Sequence, residues 1–205
     1  MPEATGIRAR QRERTRRTLL REGRRLFAEH GYAEVGLNGV VTAAKVTKGA
    51  LYHHFDGKPD LFRAVLEEVQ AEVADEVAGA ADAVSAPWER LTAGCRAFLV
   101  AATAPDVRRI MLVDGPAVLG WSTWREMDEA NSVRHLTEAL TDLVAAGVLP
   151  PRPVEPVAHL LSGAMNEAAL WLAGRTGPDD LDQVWAALSR MLESLRTDRD
   201  RNDDR

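Results

Sequence analysis

The chain has 205 residues, of which 45% are hydrophobic and 28% are charged, as in an ordinary globular protein that can bury a core. Its longest stretch without Asp, Glu, Lys or Arg is the eleven residues 156–166, too short to span a membrane. The first residues lack the apolar stretch of a secretory signal, and Cys95 is the sole cysteine, which excludes an internal disulfide and a cysteine-based zinc finger. We therefore expect a soluble, cytoplasmic protein with no membrane partner.

Charge is distributed unevenly along the chain. Residues 1–63 contain 13 Lys and Arg against 7 Asp and Glu, whereas the remaining residues contain 13 against 24. Much of the basic excess is a series of arginines between positions 8 and 25. Such an asymmetry indicates that the first part meets a polyanion such as nucleic acid, although a solvated arginine-rich helix face would have the same composition.

Helical periodicity dominates, and no sustained apolar/polar alternation indicates a strand. Prolines open several periodic segments, where their missing N–H costs nothing, and Gly31 and Gly147 follow segments rich in helix formers, as C-terminal caps do. The fold class predicted is all-α. The predicted helices cover residues 8–30, 37–44, 47–55, 58–83, 87–103, 105–113, 116–146, 155–174 and 178–196.

The predicted organisation is a small N-terminal helical domain, residues 1–57, followed by a larger helical domain, residues 58–196. The polar ends, 1–7 and 197–205, have the composition of disordered segments. No internal repeat of 20–50 residues is visible.

Residues 37–55 have the pattern of a helix-turn-helix. The segment 37–44 is too short to be stable alone, and Thr47 is suited to cap the helix that follows. In that second helix Leu51 and Phe55 point inward, whereas the opposite face presents Lys48, Gly49, Tyr52 and His53. Such a face suits a DNA groove, because lysine and tyrosine reach phosphates and glycine lets the backbone approach closely. Two ordinary packed helices remain the alternative.

The stretch from Gly31-Tyr32 through Thr47-Lys48-Gly49-Ala50-Leu51-Tyr52-His53-His54-Phe55 to Lys58 and Leu61-Phe62 resembles the DNA-binding domain of TetR-type (tetracycline-repressor-like) transcriptional regulators. The resemblance covers residues 10–63 closely, and residues 109–121 are similar to a subgroup of regulatory domains in that family. It implies a homodimer that binds a double-stranded DNA operator and is released when a small-molecule effector occupies the C-terminal domain. The residues predicted to contact DNA are Asn38, Thr42, Lys45, Thr47, Lys48, Gly49, Tyr52, His53 and Lys58.

Three positions depart from the family pattern. Gly36 stands where Ser or Thr usually caps the second helix, Val41 replaces a small alanine, and Lys45 replaces the glycine of the turn. A positive φ at Lys45 would cost about 1–2 kcal/mol, part of which a contact with DNA phosphate would recover. The fold is expected to tolerate these changes, whereas base contacts could differ from those of the family.

Aromatic and methionine residues beyond the N-terminal domain suit either an apolar ligand pocket or ordinary core packing. The predicted pocket residues are Phe98, Met111, Trp121, Trp124 and Met165. The last two long helices are predicted to pair with their symmetry mates in a four-helix dimer interface. The residues assigned to that interface are Gly163, Ala164, Ala168, Trp185, Leu188 and Leu192.

The commonest catalytic signatures, such as Gly-x-Ser-x-Gly, His-Glu-x-x-His and a phosphate-binding loop, are missing from the sequence. The histidines lack ligand partners at suitable spacing, and Cys95 lies between apolar helix positions, as a buried cysteine does. No cofactor, metal or enzymatic activity is predicted. A small helical enzyme or carrier would have only Glu167, Asp114 and His135 as acid–base groups, and a DNA-binding protein without a ligand is the other alternative.

Overall fold

The computed structural model describes residues 3–173, 175, 177 and 179–196, and these residues form helices without a β-strand. None of the helices in this part of the chain is long and apolar enough to cross a membrane. The α-helices are α1 (Glu3–His30), α2 (Leu37–Ala43), α3 (Lys48–Tyr52), α4 (Lys58–Asp82), α5 (Pro87–Thr103), α6 (Pro105–Arg108), α7 (Gly115–Leu119), α8 (Trp121–Asp128), α9 (Arg134–Ala145), α10 (Val154–Leu172) and α11 (Asp180–Ser194). The predicted all-α class is confirmed.

Local signals account for many helix ends. Proline opens α5 and α6, where it has no N–H to leave unsatisfied. Gly31 and Gly147 adopt φ values of 81° and 68° directly after α1 and α9, which confirms their predicted role as C-terminal caps. After α9, the Val148 N–H donates to the Leu143 carbonyl at 2.9 Å, as in a Schellman motif.

Several predicted helices differ in extent from the structure. Helix α3 ends at Tyr52, before the predicted end at residue 55, and the helix predicted over 105–113 becomes a π-helical turn from Arg109 onward. Helix α1 begins at Glu3, within the predicted disordered segment 1–7. The predicted continuous helix over 116–146 is interrupted at Gly120, where φ is 79° and ψ is 153°, a conformation that glycine alone adopts readily. Further along, residues Glu129–Val133 form a π-helical turn. The predicted tail 197–205 and positions 174 and 178 of two predicted helices lie outside the described residues.

The chain divides into two compact units. The first contains the chain up to Val69 together with Arg109–Trp124, and the second contains Gln70–Arg108 together with the chain from Arg125 onward. The boundary predicted between residues 57 and 58 differs from this division in two respects. The first unit takes in the N-terminal half of α4, and it recruits a segment that the sequence assigns to the C-terminal domain.

An aromatic cluster fills the core of the first unit. The fully buried rings of Phe27 and Phe62 meet edge to face at 5.2 Å, and the Tyr32 ring packs against both. The backbone N–H of Tyr32 donates to the carboxylate of Asp114 at 2.9 Å. Arg109 lies within 3.9 Å of the same carboxylate and donates to the His30 carbonyl at 3.4 Å. These polar contacts explain why Arg109–Asp114, a π-helical turn, belongs to this unit.

The second unit is a bundle in which α10 packs on α5, α9 and α11. Its core is mostly aliphatic and includes Leu99, Leu140 and Leu192. One buried carboxylate interrupts it: Asp128 pairs with Arg125 at 2.9 Å and accepts from the Ser162 hydroxyl at 3.2 Å. Burial raises the pKa of Asp128, and the Arg125 charge opposes that rise.

Candidate nucleic-acid interface and ligand cavity

The turn between α2 and α3 is closed by backbone geometry at Lys45, whose φ of 54° confirms the predicted left-handed conformation. The Lys45 N–H donates to the Thr42 carbonyl at 3.1 Å, and the Val46 N–H donates to the Val41 carbonyl at 3.0 Å. This pair of bonds is a Schellman motif with lysine in place of the usual glycine. The left-handed conformation of Lys45 therefore costs the turn about 1–2 kcal/mol.

Thr47 caps the start of α3. Its backbone is extended, and its hydroxyl oxygen accepts from the Ala50 N–H at 3.1 Å. This bond satisfies one of the free N–H groups that begin every helix. Because α3 has five residues, the cap contributes a large share of its local stability.

Replacing Thr47 with alanine is expected to lower the free energy of unfolding by about 0.5–2 kcal/mol, since the Ala50 N–H loses its acceptor. Thr47→Ser keeps an oxygen at the same position and serves as the control. Urea denaturation followed by circular dichroism measures both variants. Equal stability of the alanine and serine variants would show that the hydroxyl does not cap the helix.

The two faces of α3 divide as predicted. Leu51 and, just after the helix, Phe55 are buried, whereas Lys48, Gly49 and Tyr52 are exposed on the other side, Tyr52 with 54% of its surface accessible. A Cβ at Gly49 would meet only the Thr47 hydroxyl, 3.9 Å away. The protein's own packing therefore does not require glycine at this position, and close approach of another molecule would explain it.

The remaining predicted DNA contacts lie on both sides of this face. Asn38, Thr42, Lys45 and His53 are exposed around α2 and the ends of α3. Lys58 differs, because its ammonium lies 4.1 Å from the centre of the Tyr32 ring and donates to the Ala33 carbonyl at 3.3 Å. A phosphate contact by Lys58 would have to share or replace these interactions.

The arginines of α1 fall into two groups. Arg17 and Arg25 form ion pairs with glutamates of the same helix, at 2.8 Å to Glu13 and to Glu29 respectively. Arg16 instead lies 5.6 Å from the centre of the Phe55 ring. Burial lowers the pKa of His54, and the charges of Arg12 and Arg16 lower it further. The basic side of α1 therefore approaches the C-terminal end of α3 and extends its positive surface.

A cavity of about 480 Å³ lies within the second unit, a size that suits a small organic ligand. It is lined by the C-terminal half of α4, by α5, by Ser132 of the π-helical turn Glu129–Val133, by α9 and by one residue of α10. Its interior wall is apolar and buried, with Leu91, Cys95, Phe98, Leu143 and Met165 among the lining residues. Burial raises the pKa of the Cys95 thiol to about 12, so this cysteine is a neutral wall group and not a nucleophile.

The structure places two of the five predicted pocket residues, Phe98 and Met165, on the cavity wall. The other three lie in the first unit, which corrects their assignment. The Trp124 indole N–H donates to the Met111 carbonyl at 2.7 Å, and its ring packs against Trp121, which is exposed. In the structure these residues contact each other and do not line the cavity.

Small residues are the signal that this prediction missed. Ala74, Ala78 and Ala81 recur on one side of α4, and the same cavity is lined by Ala139 of α9 and by Ala146 directly after it. Large side chains on either helix would have filled this space. The spacing of alanines next to a valine stripe was the feature of the sequence that could have indicated the cavity.

The predicted dimer residues also separate into two groups. Leu188 and Leu192 are buried within their own unit, which corrects their place in the interface: α11 uses this stripe to pack against α5 and α10. The half-buried Trp185 lies 5.9 Å from the Arg96 guanidinium of α5. Gly163 is exposed, and Ala164 and Ala168 are half-buried, on the outer side of α10.

The candidate acid–base groups of the enzyme alternative do not form one site. Asp114 is used by the Tyr32 N–H in the first unit, Glu167 is exposed on α10 without lining the cavity, and His135 lies at the cavity edge. Within the described part of the chain, no three His, Cys, Asp or Glu side chains come together as metal ligands would.

A helix-turn-helix unit joined to a helical bundle with an internal cavity defines the class of regulators that combine a DNA-recognition domain with a ligand-binding domain. Two family models match the chain: "Bacterial regulatory proteins, tetR family" over residues 19–65 and "Tetracyclin repressor-like, C-terminal domain" over residues 88–195. The chain belongs to the TetR family of bacterial regulatory proteins.

Individual relatives agree with this assignment. A crystal structure of a TetR-family transcriptional regulator from Pectobacterium atrosepticum is 35% identical, covers 91% of this chain and 96% of its own, and superposes with a TM-score of 0.78. The transcriptional repressor AcnR of Corynebacterium glutamicum is 38% identical over 63 residues, which are 31% of this chain and 34% of AcnR. The chain therefore spans about a third of the length of the curated relatives it matches.

A third relative shows the same fold with ligands bound. The structure of AibR in complex with isovaleryl coenzyme A and operator DNA is 22% identical, covers 89% of this chain and 98% of its own, and has a TM-score of 0.62. At this identity the likeness establishes the fold alone.

Proposed function

We propose that this protein is a DNA-binding transcriptional repressor that leaves its operator when a small molecule fills the cavity of the second unit. The observation that carries the proposal is the exposed face of α3, with Lys48, Gly49 and Tyr52 presented on a short helix that a Schellman turn and a threonine cap hold in place. Family membership supports the same function, as do the repressor names of the curated relatives.

In this proposal α3 enters the major groove. Lys48 and the arginines of α1 supply phosphate contacts that do not depend on sequence. Thr47, Gly49 and Tyr52, with Asn38 on α2, supply base selectivity, although the Thr47 hydroxyl must share its oxygen with the Ala50 N–H. Two copies of α3 in a dimer would read half-sites about 34–36 Å apart, or a multiple of that distance.

An apolar stripe on the outer side of α10 supports a dimer. Leu160 has 74% and Trp171 has 49% of its surface exposed, and Gly163, Ala164 and Ala168 lie between them. On α11, Met191 is 53% exposed. The exposed Glu167 shares this face of α10 with them. A group of exposed apolar side chains on one helix face marks an interaction surface, and small residues allow the two copies of α10 to approach closely.

Replacing Leu160 with glutamate is expected to convert the dimer into a monomer at micromolar concentration, because a desolvated, unpaired carboxylate in an interface costs about 3–5 kcal/mol. Val100→Glu, a matched change at an exposed position of α5, should leave the assembly unchanged. Sedimentation velocity measures both. A wild-type monomer, or a Leu160→Glu dimer, would contradict this interface.

Ligand control is proposed to act through α4, because this helix begins in the first unit, continues into the second and contributes Val73, Ala74 and Val77 to the cavity wall. A ligand that prefers the protein free of DNA would lower operator affinity by its differential affinity, typically about 1–3 kcal/mol. DNA would weaken ligand binding by the same factor.

Selection of bound duplexes from a random pool, repeated with candidate small molecules present, tests the whole proposal. A repressor of this kind enriches a two-fold symmetric site and loses it when its effector is added. Failure to bind any duplex at low ionic strength would refute the DNA-binding function. Operator binding that no cavity ligand alters would favour the alternative, a DNA-binding protein without an effector.

A further inference from the structure

The cavity of the second unit has a gradient of polarity from its interior to its edge. Its interior is lined by fully or almost fully buried apolar side chains such as Phe98, Leu143 and Met165. All of its charged lining residues are at least partly exposed and belong to α4, α5 or α9: Asp82, Arg90, Glu138, Asp142 and the titratable His135. A ligand that fills this space therefore needs an apolar body and places any polar group at the edge.

The arginine at this edge is already engaged. Arg90 pairs with Asp82 at 2.5 Å and also donates to the Val84 carbonyl at 3.5 Å. His135 lies 3.8 Å from the Glu138 carboxylate. An anionic ligand would have to displace one of these carboxylates to obtain a cation, and it would enter beside the carboxylates that remain.

The carboxylates of this edge outnumber its arginine, and one of them has no ion pair within the described part of the chain. Glu138 and Asp142 are one turn apart on α9, an arrangement in which like charges repel. Arg134, which is not part of the cavity wall, pairs with Glu138 at 3.1 Å. For Asp142 the described residues provide no ion pair. A cation placed between these two carboxylates would relieve their repulsion, and the apolar wall would hold the rest of the same molecule.

We infer that the ligand of this cavity is an apolar amine, an inference that rests on the proposed effector function. Its aromatic or aliphatic body would lie in the interior, and its protonated nitrogen would lie at Glu138 and Asp142. Carboxylic acids and acyl thioesters of coenzyme A are disfavoured, because the described residues of this edge include no free cation to receive their negative charge. The cavity volume of about 480 Å³ accommodates one such molecule of drug-like size or smaller.

Three compounds with the same body and different heads test this inference: 4-(biphenyl-4-yl)butylamine, the corresponding butanol and the corresponding butanoate. Isothermal titration calorimetry on the full chain is expected to show the amine binding at least about tenfold more tightly than the butanoate, with the alcohol between them. The Glu138→Gln/Asp142→Asn variant should reduce that ratio to less than about threefold and leave the affinity for the alcohol unchanged.

Glu126→Gln/Glu155→Gln is the matched control, because it removes the same charge from exposed positions of the second unit that do not line the cavity. This control should keep the wild-type preference for the amine. Equal binding of all three compounds, or tighter binding of the butanoate, would overturn the amine assignment while leaving an apolar effector site. Binding of none of them would overturn the effector function of the cavity and the amine assignment together.

Discussion

Replacing Lys48 with glutamate is expected to weaken operator binding by more than about 100-fold, because each of two half-sites loses a charge-assisted contact worth about 1.5–3 kcal/mol. The new carboxylate would also face phosphate. The fold should tolerate the change, since Lys48 is exposed at the start of α3. Fluorescence anisotropy with a labelled operator at several salt concentrations measures the loss.

Two further variants make this result specific. Lys48→Ala should flatten the dependence of log affinity on log salt by about one unit per half-site. Arg63→Glu makes the same change in charge within the same unit, at an exposed position of α4, and should have a much smaller effect. Equal losses for Lys48→Glu and Arg63→Glu would indicate a diffuse electrostatic effect and contradict a groove contact by α3.

Replacing Phe62 with alanine is expected to lower the free energy of unfolding by about 3–5 kcal/mol. Phe62 is fully buried, and its ring contacts those of Phe27 and Tyr32 at 5.2 and 5.1 Å. Because a whole domain is typically stable by about 5–15 kcal/mol, this loss should unfold a measurable fraction of the first unit and reduce operator binding with it.

Phe62→Leu is the control, since it keeps most of the volume and should cost less than the alanine variant. Urea denaturation of both variants, followed by circular dichroism, gives the comparison. A loss below about 1 kcal/mol for Phe62→Ala would contradict the assignment of this aromatic cluster to the core of the first unit, because removing a ring from a core costs several times more.

Local sequence signals predicted the N-terminal part closely. The glycine after α1, the threonine cap of α3 and the left-handed turn at Lys45 are all present. The inward and outward sides of α3 also divide as predicted. Each of these features depends on residues within one or two turns of each other, so a pattern of residue types is enough to indicate it.

Local sequence signals predicted the C-terminal part less well. The sequence predicted one helix over 116–146, but a helical pattern cannot reveal that Gly120 adopts φ near 79°. Trp124 and Met111 are residue types that commonly line a ligand pocket, but in the structure they pack within the first unit. Leu188 and Leu192 could have faced a partner or their own bundle, and only the packing of α11 decided between these two possibilities.

By itself, the sequence determined the all-α class, the helix-turn-helix with its caps, the family, and the side chains presented on α3. Only the tertiary structure decided that residues 109–124 join the first unit and that alanines on α4 and α9 leave a cavity. It also decided that carboxylates such as Glu138 and Asp142 line the edge of this cavity. The physical reason is range: caps, turns and helix faces follow from neighbouring residues, whereas a cavity and its electrostatics are the sum of packing between helices far apart in the chain.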